Sequence, residues 1–466
     1  MNWFHRLLRY PELWVLTATA LFTRLWQLQL PNAVVFDEVY FRQFAANYLD
    51  GHYFFDIHPP LVKLLFAASA SMLHLSPEQV GGGDSAAVIL RYIPAVAGVL
   101  LVPLIYTIVR QLGLGRRIAA FGAVLVLFDN ALLVESRFIL MDSLLLLAGF
   151  GALSCYLALR KRTGNKRWIW VVLTAMLLGV LVTTKWTGLA IAGLIATAWF
   201  IEGRIDKNPL PGRWRRQLAE ATTVIAVVAG IYAGSFAVHF ALLNHSGEGD
   251  VFMSERFQST LQGSQYYKPT ASMSFWDKFI ELNSEMYTAQ STLNGVQHPY
   301  ASRWYSWPVE ARPVYFWQSA PQKGNTQGNI YLLGNPVVWW GSTLAVLAAL
   351  VVWLGRPQWL GDRRRLVAFL LAGYALNFIP FAFIDRPMFL YHYLFALLFA
   401  ILIACVLFGR FLDWQALRYG RRAVRQTYWA LLAVVVLGFL YFLPLSYGWA
   451  LTPADLQQRI WLPSWR

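Results

Sequence analysis

Apolar residues run along this chain in blocks long enough to cross a bilayer, broken by short polar connections and by two long ones. A spanning helix needs about 20 mostly apolar residues. Eleven blocks come close to that, at approximately 12–30, 86–109, 118–134, 138–159, 168–183, 186–201, 218–243, 335–354, 366–384, 388–408 and 427–445. The pattern predicts an all-α polytopic membrane protein. The first block lacks an A-x-A-like cleavage site and contains Arg24, so it is expected to be a retained span, not a removed leader.

The connections alternate in charge. Arg116-Arg117, Arg160-Lys161-Arg162 with Lys166-Arg167, Arg213 to Arg216, Arg363-Arg364-Arg365 and Arg421-Arg422 fall on one side, which holds 24 of the 39 Lys and Arg. The positive-inside rule makes that side cytoplasmic, with the N-terminus inside and the C-terminus outside. The blocks at 168–183 and 186–201 are short, with Thr183-Thr184-Lys185-Trp186 between them. Merging them would invert every later connection, so two spans are expected, with Lys185 near the outer surface. The long connections, 31–85 and 244–334, then lie outside. The chain divides into a membrane module (1–243) carrying the first outer loop, a large outer loop (244–334) and a C-terminal membrane module (335–466).

Composition narrows the class. The chain is 57% hydrophobic and 14% charged, against about 25% charged residues in soluble proteins. Its net charge of +15 sits in clusters between apolar blocks, not on a basic face, which argues against nucleic-acid binding. Cys155 and Cys405 fall inside apolar blocks and imply no disulfide framework. No H-x-x-H, clustered Cys, D-x-D or glycine-rich phosphate loop occurs, so no metal is expected.

Ionisable residues gather on the outer side. Phe36, Tyr40, Phe44 and Tyr48 recur at i, i+4, which predicts an amphipathic helix in the interface plane. Asp37 and Glu38 would open it, near the positive end of its dipole. Either caps the helix or acts as a general base. Neighbouring helical residues point in different directions, so the two are not expected to share one task. Asp56-Ile57-His58-Pro59-Pro60 follows, with His58 a proton carrier, a phosphate donor or an interfacial residue. Arg91, Glu135, Arg137, Asp142, Lys185, Asp385, Arg386 and His392 stand at outer ends of spans. Charges there usually face a cavity or a partner; Arg137 could simply pair with Glu135 or Asp142. Cations beside a carboxylate suit a reaction that expels a phosphate.

These motifs resemble the protein O-mannosyltransferases. The likeness rests on Val35-Phe36-Asp37-Glu38-Val39 and on Tyr53 through Leu61. It continues through Glu135-Ser136-Arg137-Phe138-Ile139-Leu140-Met141-Asp142 and Lys185-Trp186-Thr187-Gly188-Leu189. It ends with His298-Pro299-Tyr300-Ala301-Ser302, Trp307-Pro308, Gly334 through Trp340 and Phe389 through Leu394. The motifs run in order through nearly the whole chain.

The resemblance implies the GT-C glycosyltransferase fold with about eleven transmembrane helices and two large outer loops. It implies a bacterial member without the MIR domain, for which residues 244–334 leave no room. It matches Asp37 and Glu38 to the catalytic acidic pair, and Arg91 and Arg137 to basic positions near the donor phosphate. Lys185, His58, Arg386 and His392 would share that anionic pocket. Tyr40, Trp304 and Trp307 would meet the sugar or acceptor.

The expected activity is inverting transfer of mannose from polyprenyl-phosphate-mannose to Ser or Thr hydroxyls of secreted or membrane proteins, without metal or other cofactor. The expected setting is the bacterial inner membrane with the active site periplasmic; the resemblance also allows a dimer. The alternatives are a GT-C transferase with a lipid or polysaccharide acceptor and, in another class, a transporter or flippase. Repeated halves and broken midplane helices would mark a transporter, and neither occurs.

Overall fold

The computed structural model describes residues 10–82, 85–205, 213–292, 298–322 and 324–465. The first half contains α1 (Pro11–Leu25), α2 (Glu38–Asp50), α3 (Leu61–Met72), α4 (Tyr92–Gln111), α5 (Arg116–Leu127), α6 (Asn130–Glu135), α7 (Asp142–Leu159), α8 (Gly164–Thr184) and α9 (Leu189–Ile205). Then follow α10 (Arg213–Leu242), α11 (Phe275–Thr292), α12 (Pro336–Gly355), α13 (Arg364–Leu376), α14 (Leu394–Tyr447) and α15 (Pro453–Arg459).

Among the described residues, seven helices are long and apolar enough to cross a membrane. All eleven expected places are helical, but not as eleven separate rods. The 118–134 block breaks into α5 and α6. At the break, Asp129 is buried and its carboxylate accepts from Leu132 N (2.9 Å), Asn335 N (3.1 Å) and Trp339 Nε1 (2.8 Å). An apolar block was legible there, but its one acid ties the break to the start of α12. The last two blocks both lie in α14, where two helices meet at a kink: the backbone of Gly420 (φ 77°, ψ 174°) is not helical and separates them. Only glycine adopts that backbone without strain, and it directly precedes Arg421-Arg422.

The expected break between α8 and α9 is present. Lys185 takes an extended backbone (φ −158°, ψ 135°) after Thr184, and a short 3-10 turn, Trp186–Gly188, leads into α9.

The two long connections pack on each other. Tyr53 N donates to His245 O (2.9 Å), and Gly249 N to Tyr53 O (3.2 Å). A Cβ on Gly249 would lie 2.4 Å from Phe54 C, closer than side chains are accommodated. Three short strands qualify the all-helical expectation: β1 (Val314–Gln318), β2 (Gln327–Leu332) and β3 (Ala450–Leu451). They form one antiparallel sheet in the order β1-β2-β3, with Val314 opposite Leu332 and Gln327 opposite Leu451. The sheet joins the 244–334 segment to the residues after α14. This end of the bundle also carries Asp37.

Candidate active site

The chain enters α2 through a strained step. Phe36 has φ +50°, a conformation uncommon outside glycine. Its ring stacks on Phe316 of β1 with centroids 4.2 Å apart and planes 6° from parallel, which offsets the local strain. Asp37 follows at the N-cap. Its main-chain carbonyl accepts from Tyr40 N (3.0 Å) and Phe41 N (3.3 Å), but its carboxylate does not cap the helix. The side chain is thus left for another task. Because Phe36 precedes the helix, the aromatic i, i+4 stripe is not one face. The buried face is Glu38, Phe41, Arg42, Ala45, Ala46 and Tyr48, whereas Tyr40 is 60% exposed.

Glu38 goes elsewhere. It is fully buried and accepts from Arg91 Nε and Nη2 (both 2.7 Å), Val35 N (2.9 Å) and Ile139 N (2.9 Å). Glu38, expected as a second catalytic carboxylate, thus has a full set of partners. Arg91 also donates to the carbonyls of Leu28, Pro31 and Ala33. Arg137 donates to those of Arg24, Trp26 and Gln27 and lies 4.2 Å over the Tyr447 ring. The irregular segment after α1 has carbonyls without helical partners, and two buried guanidinium groups, five donors each, satisfy them. Neither arginine, expected at a phosphate, lines the cavity described next. Pairing of Arg137 with Glu135 or Asp142 is also not what is found; Glu135 Oε2 is buried without a hydrogen-bond partner among the described residues.

A cavity of about 600 Å³ opens at this end of the bundle. His58, Asp142, Lys185, Arg386, Tyr391 and His392 contribute its polar wall. They come from the 31–85 segment, the start of α7, the α8–α9 break and the run leading into α14. Lys185 Nζ lies 3.3 Å from Asp142 Oδ1 and 5.3 Å above the Tyr391 ring. Asp37 stands beside this wall: the neighbouring Phe36 ring meets Tyr391 edge-on at 6.4 Å.

Burial pushes the Asp37 carboxyl up to about 6; Lys185 pulls the other way, while Asp142 and Asp56 add to the rise. It is therefore ionised but basic at neutral pH. His58 is held well below its usual range by burial and then by Lys185, Lys63, Arg386 and His392, so its ring is neutral. Lys63 donates to Asp56 and to His58 O (2.6 Å), which fixes the Asp56–Pro60 turn.

Of the two expected sugar-binding tryptophans, one is buried and the other half-buried. Trp307 is fully buried, donates to Ser302 Oγ (2.9 Å), and stacks on His392 at 5.9 Å. Trp304 packs on Phe378 at 4.9 Å. With Tyr40, neither lines the cavity. Tyr391, Tyr287 and Gln290 do line it and were not singled out from sequence. Tyr391 sits inside the Phe389–Leu394 motif, so its signal was available; Tyr287 and Gln290 had only their place on an amphipathic helix. Among the described residues no group of three or more His, Cys, Asp or Glu could hold a metal ion.

Comparison with known proteins places this geometry. The family model for dolichyl-phosphate-mannose-protein mannosyltransferase matches residues 14–244, and that for the C-terminal four TMM region of protein-O-mannosyltransferase matches 275–465. Dolichyl-phosphate-mannose–protein mannosyltransferase 4 of Candida albicans is 31% identical over 307 residues, 62% of this chain and 40% of that protein. Protein O-mannosyltransferase 1 of Drosophila pseudoobscura is 34% identical over 264 residues, 54% of this chain and 29% of that protein. The chain thus spans well under half the length of these relatives. The structure of the S. cerevisiae protein O-mannosyltransferase Pmt1-Pmt2 complex bound to the sugar donor aligns with a TM-score of 0.87 at 21% identity, covering 98% of this chain and 92% of that one. The fold is the GT-C fold.

Proposed function

Because the chain belongs to the protein O-mannosyltransferase family, we propose that it moves mannose from polyprenyl-phosphate-mannose to Ser or Thr hydroxyls of proteins. The observation that carries this reading is Asp37. It is a carboxylate freed from capping, with proton affinity raised to about 6. It stands beside a cavity walled by Lys185, Arg386 and two histidines.

In the proposed reaction Asp37 accepts the proton of the acceptor hydroxyl as its oxygen attacks the anomeric carbon. The new C–O bond forms on the face opposite the departing phosphate, so a β-linked donor gives an α-linked product. The C1–O bond to phosphate breaks, and its electrons stay with the lipid phosphate. Lys185 and Arg386 stabilise that charge; His58, neutral in its buried setting, and His392 donate to it. Two fixed cations can do this without a divalent ion, so the reaction is proposed to need no metal. Glu38 and Arg91 act as positioning residues, holding the irregular segment that presents Asp37.

The lipid tail has a candidate path. An apolar cavity of about 720 Å³ runs between α8, α9 and α10, and Trp186 lines both it and the polar cavity. The proposed setting is a bacterial inner membrane with the Asp37 end periplasmic. Charge asymmetry between the connections supports the orientation, and the brevity of the 244–334 segment supports the bacterial setting. A secreted or membrane protein as acceptor, and a dimer, belong to the same proposal; the two-chain complex of the yeast relative motivates the latter.

The test is product analysis. Purified protein with polyprenyl-phosphate-mannose and a Ser/Thr peptide should yield α-mannosyl peptide, identified by mass spectrometry and NMR. Mannose appearing only on lipid or polysaccharide would overturn the acceptor assignment. Donor movement across vesicles with no covalent product would overturn the enzyme reading.

A further inference from the structure

The far end of the bundle holds a second polar cavity, unrelated to the proposed chemistry. Asp142 opens α7 and Arg160 follows its end. At 1.5 Å per residue, 18 residues put these ends about 27 Å apart. At the Arg160 end lies a cavity of about 1110 Å³, lined by Arg160, Arg162, Arg167, Arg216 and Arg365. No carboxylate is among its described lining residues.

The acid nearest this wall is already matched. Glu220 takes two hydrogen bonds from Arg167 (2.6 and 2.9 Å). Arg216 Nε lies 3.8 Å from Glu220 Oε1, beyond hydrogen-bond reach, and is buried with no hydrogen-bond partner among the described residues. The Arg216 side chain is itself 39% exposed, so its guanidinium can meet an external acceptor in this cationic cavity. Arg162 and Arg365 are exposed at its mouth.

The same cavity has an apolar wall of its own, formed by Leu157, Leu194, Ala198, Leu366, Ala368 and Phe369. The occupant must then carry a phosphate and a hydrocarbon chain together. We propose that this is a binding site for an anionic glycerophospholipid. Its phosphate sits among Arg162, Arg216 and Arg365, and an acyl chain lies against Leu157, Leu366 and Phe369. Basic pockets between membrane helices on the positive side are suited to such headgroups. The occupant anchors α7, α9 and α13 at the end opposite the proposed chemistry and is not consumed.

Native mass spectrometry of the purified full-length chain tests this, with phosphatidylglycerol and phosphatidylcholine as probes. Phosphatidylglycerol should be retained at least tenfold more strongly. Arg162→Gln with Arg365→Gln should weaken retention by about twenty-fivefold, from roughly fivefold per arginine. Both side chains are exposed, so folding should survive. Arg256→Gln, at the Asp37 end, should change nothing. Equal retention of the two lipids, or full retention by the double variant, would overturn the proposal. Displacement by millimolar inorganic phosphate would reassign the site to free phosphate. Stronger binding of polyprenyl phosphate, lost in the double variant, would reassign it to the donor's lipid; either result overturns a glycerophospholipid site.

Discussion

Glu38 and Arg91 face each other through two hydrogen bonds of 2.7 Å, both side chains closed to solvent. Removing one partner of such a pair strands a buried charge and costs about 3–5 kcal/mol. Arg91→Ala should therefore lower the thermal midpoint strongly, or abolish folded yield in detergent. Fluorescence-detected size exclusion and a thermal ramp check this. Normal stability with lost transfer would instead return Arg91 to the phosphate site.

Asp37 behaves oppositely. Burial holds its carboxyl at about 6, above the ordinary value of 3.8. A group whose folded value is raised contributes fully below its unfolded value, and that contribution is lost as pH rises through the folded value. Asp37→Asn should thus be as stable as the parent below pH 4 and more stable above pH 6, by about 1–3 kcal/mol. Thermal midpoints across pH 4 to 8 test the sign.

Activity should follow the same group. A general base must be ionised, so kcat/KM should rise with pH and level off above about pH 6. Lys185 lowers the Asp37 value, so Lys185→Met should move the midpoint of that rise to higher pH. The pH–rate profile of the variant against the parent reads this directly. An unmoved midpoint would separate Lys185 from Asp37.

Gly249 carries the contact between the two long connections. A Cβ there meets backbone of Phe54 and Phe55 at 2.4–2.5 Å, which no side-chain rotation relieves. Gly249→Ala should destabilise by about 1–3 kcal/mol, as other overpacked sites do. Faster proteolysis within 244–292 than in the parent would register it.

Sequence showed the helices, their breaks at Lys185 and near Arg421, and the gathering of Asp37, His58, Lys185, Arg386 and His392. These follow from apolar blocks and charge counts, which local composition records. It did not show which charges are spent. Arg91 and Arg137 look like Lys185 in sequence; only the path of the chain after α1 reveals carbonyls that claim their donors. That Tyr40, Trp304 and Trp307 stand outside the cavity was hidden for a related reason. An aromatic ring suits a sugar, an interface or a core equally well, and packing alone decides. Phe36 likewise hides its positive φ, which shifts the α2 stripe by breaking its first repeat.

The account rests on Asp37 as the base, and one assay tests that most directly. Purified parent, Asp37→Asn and Lys185→Met are given polyprenyl-phosphate-mannose and a Ser/Thr peptide at pH 8, and transferred mannose is counted. Loss of a general base costs about 10²–10⁴ in rate. Asp37→Asn should lose at least a hundredfold while eluting as a folded species. Near-parental transfer by that folded variant would contradict the account.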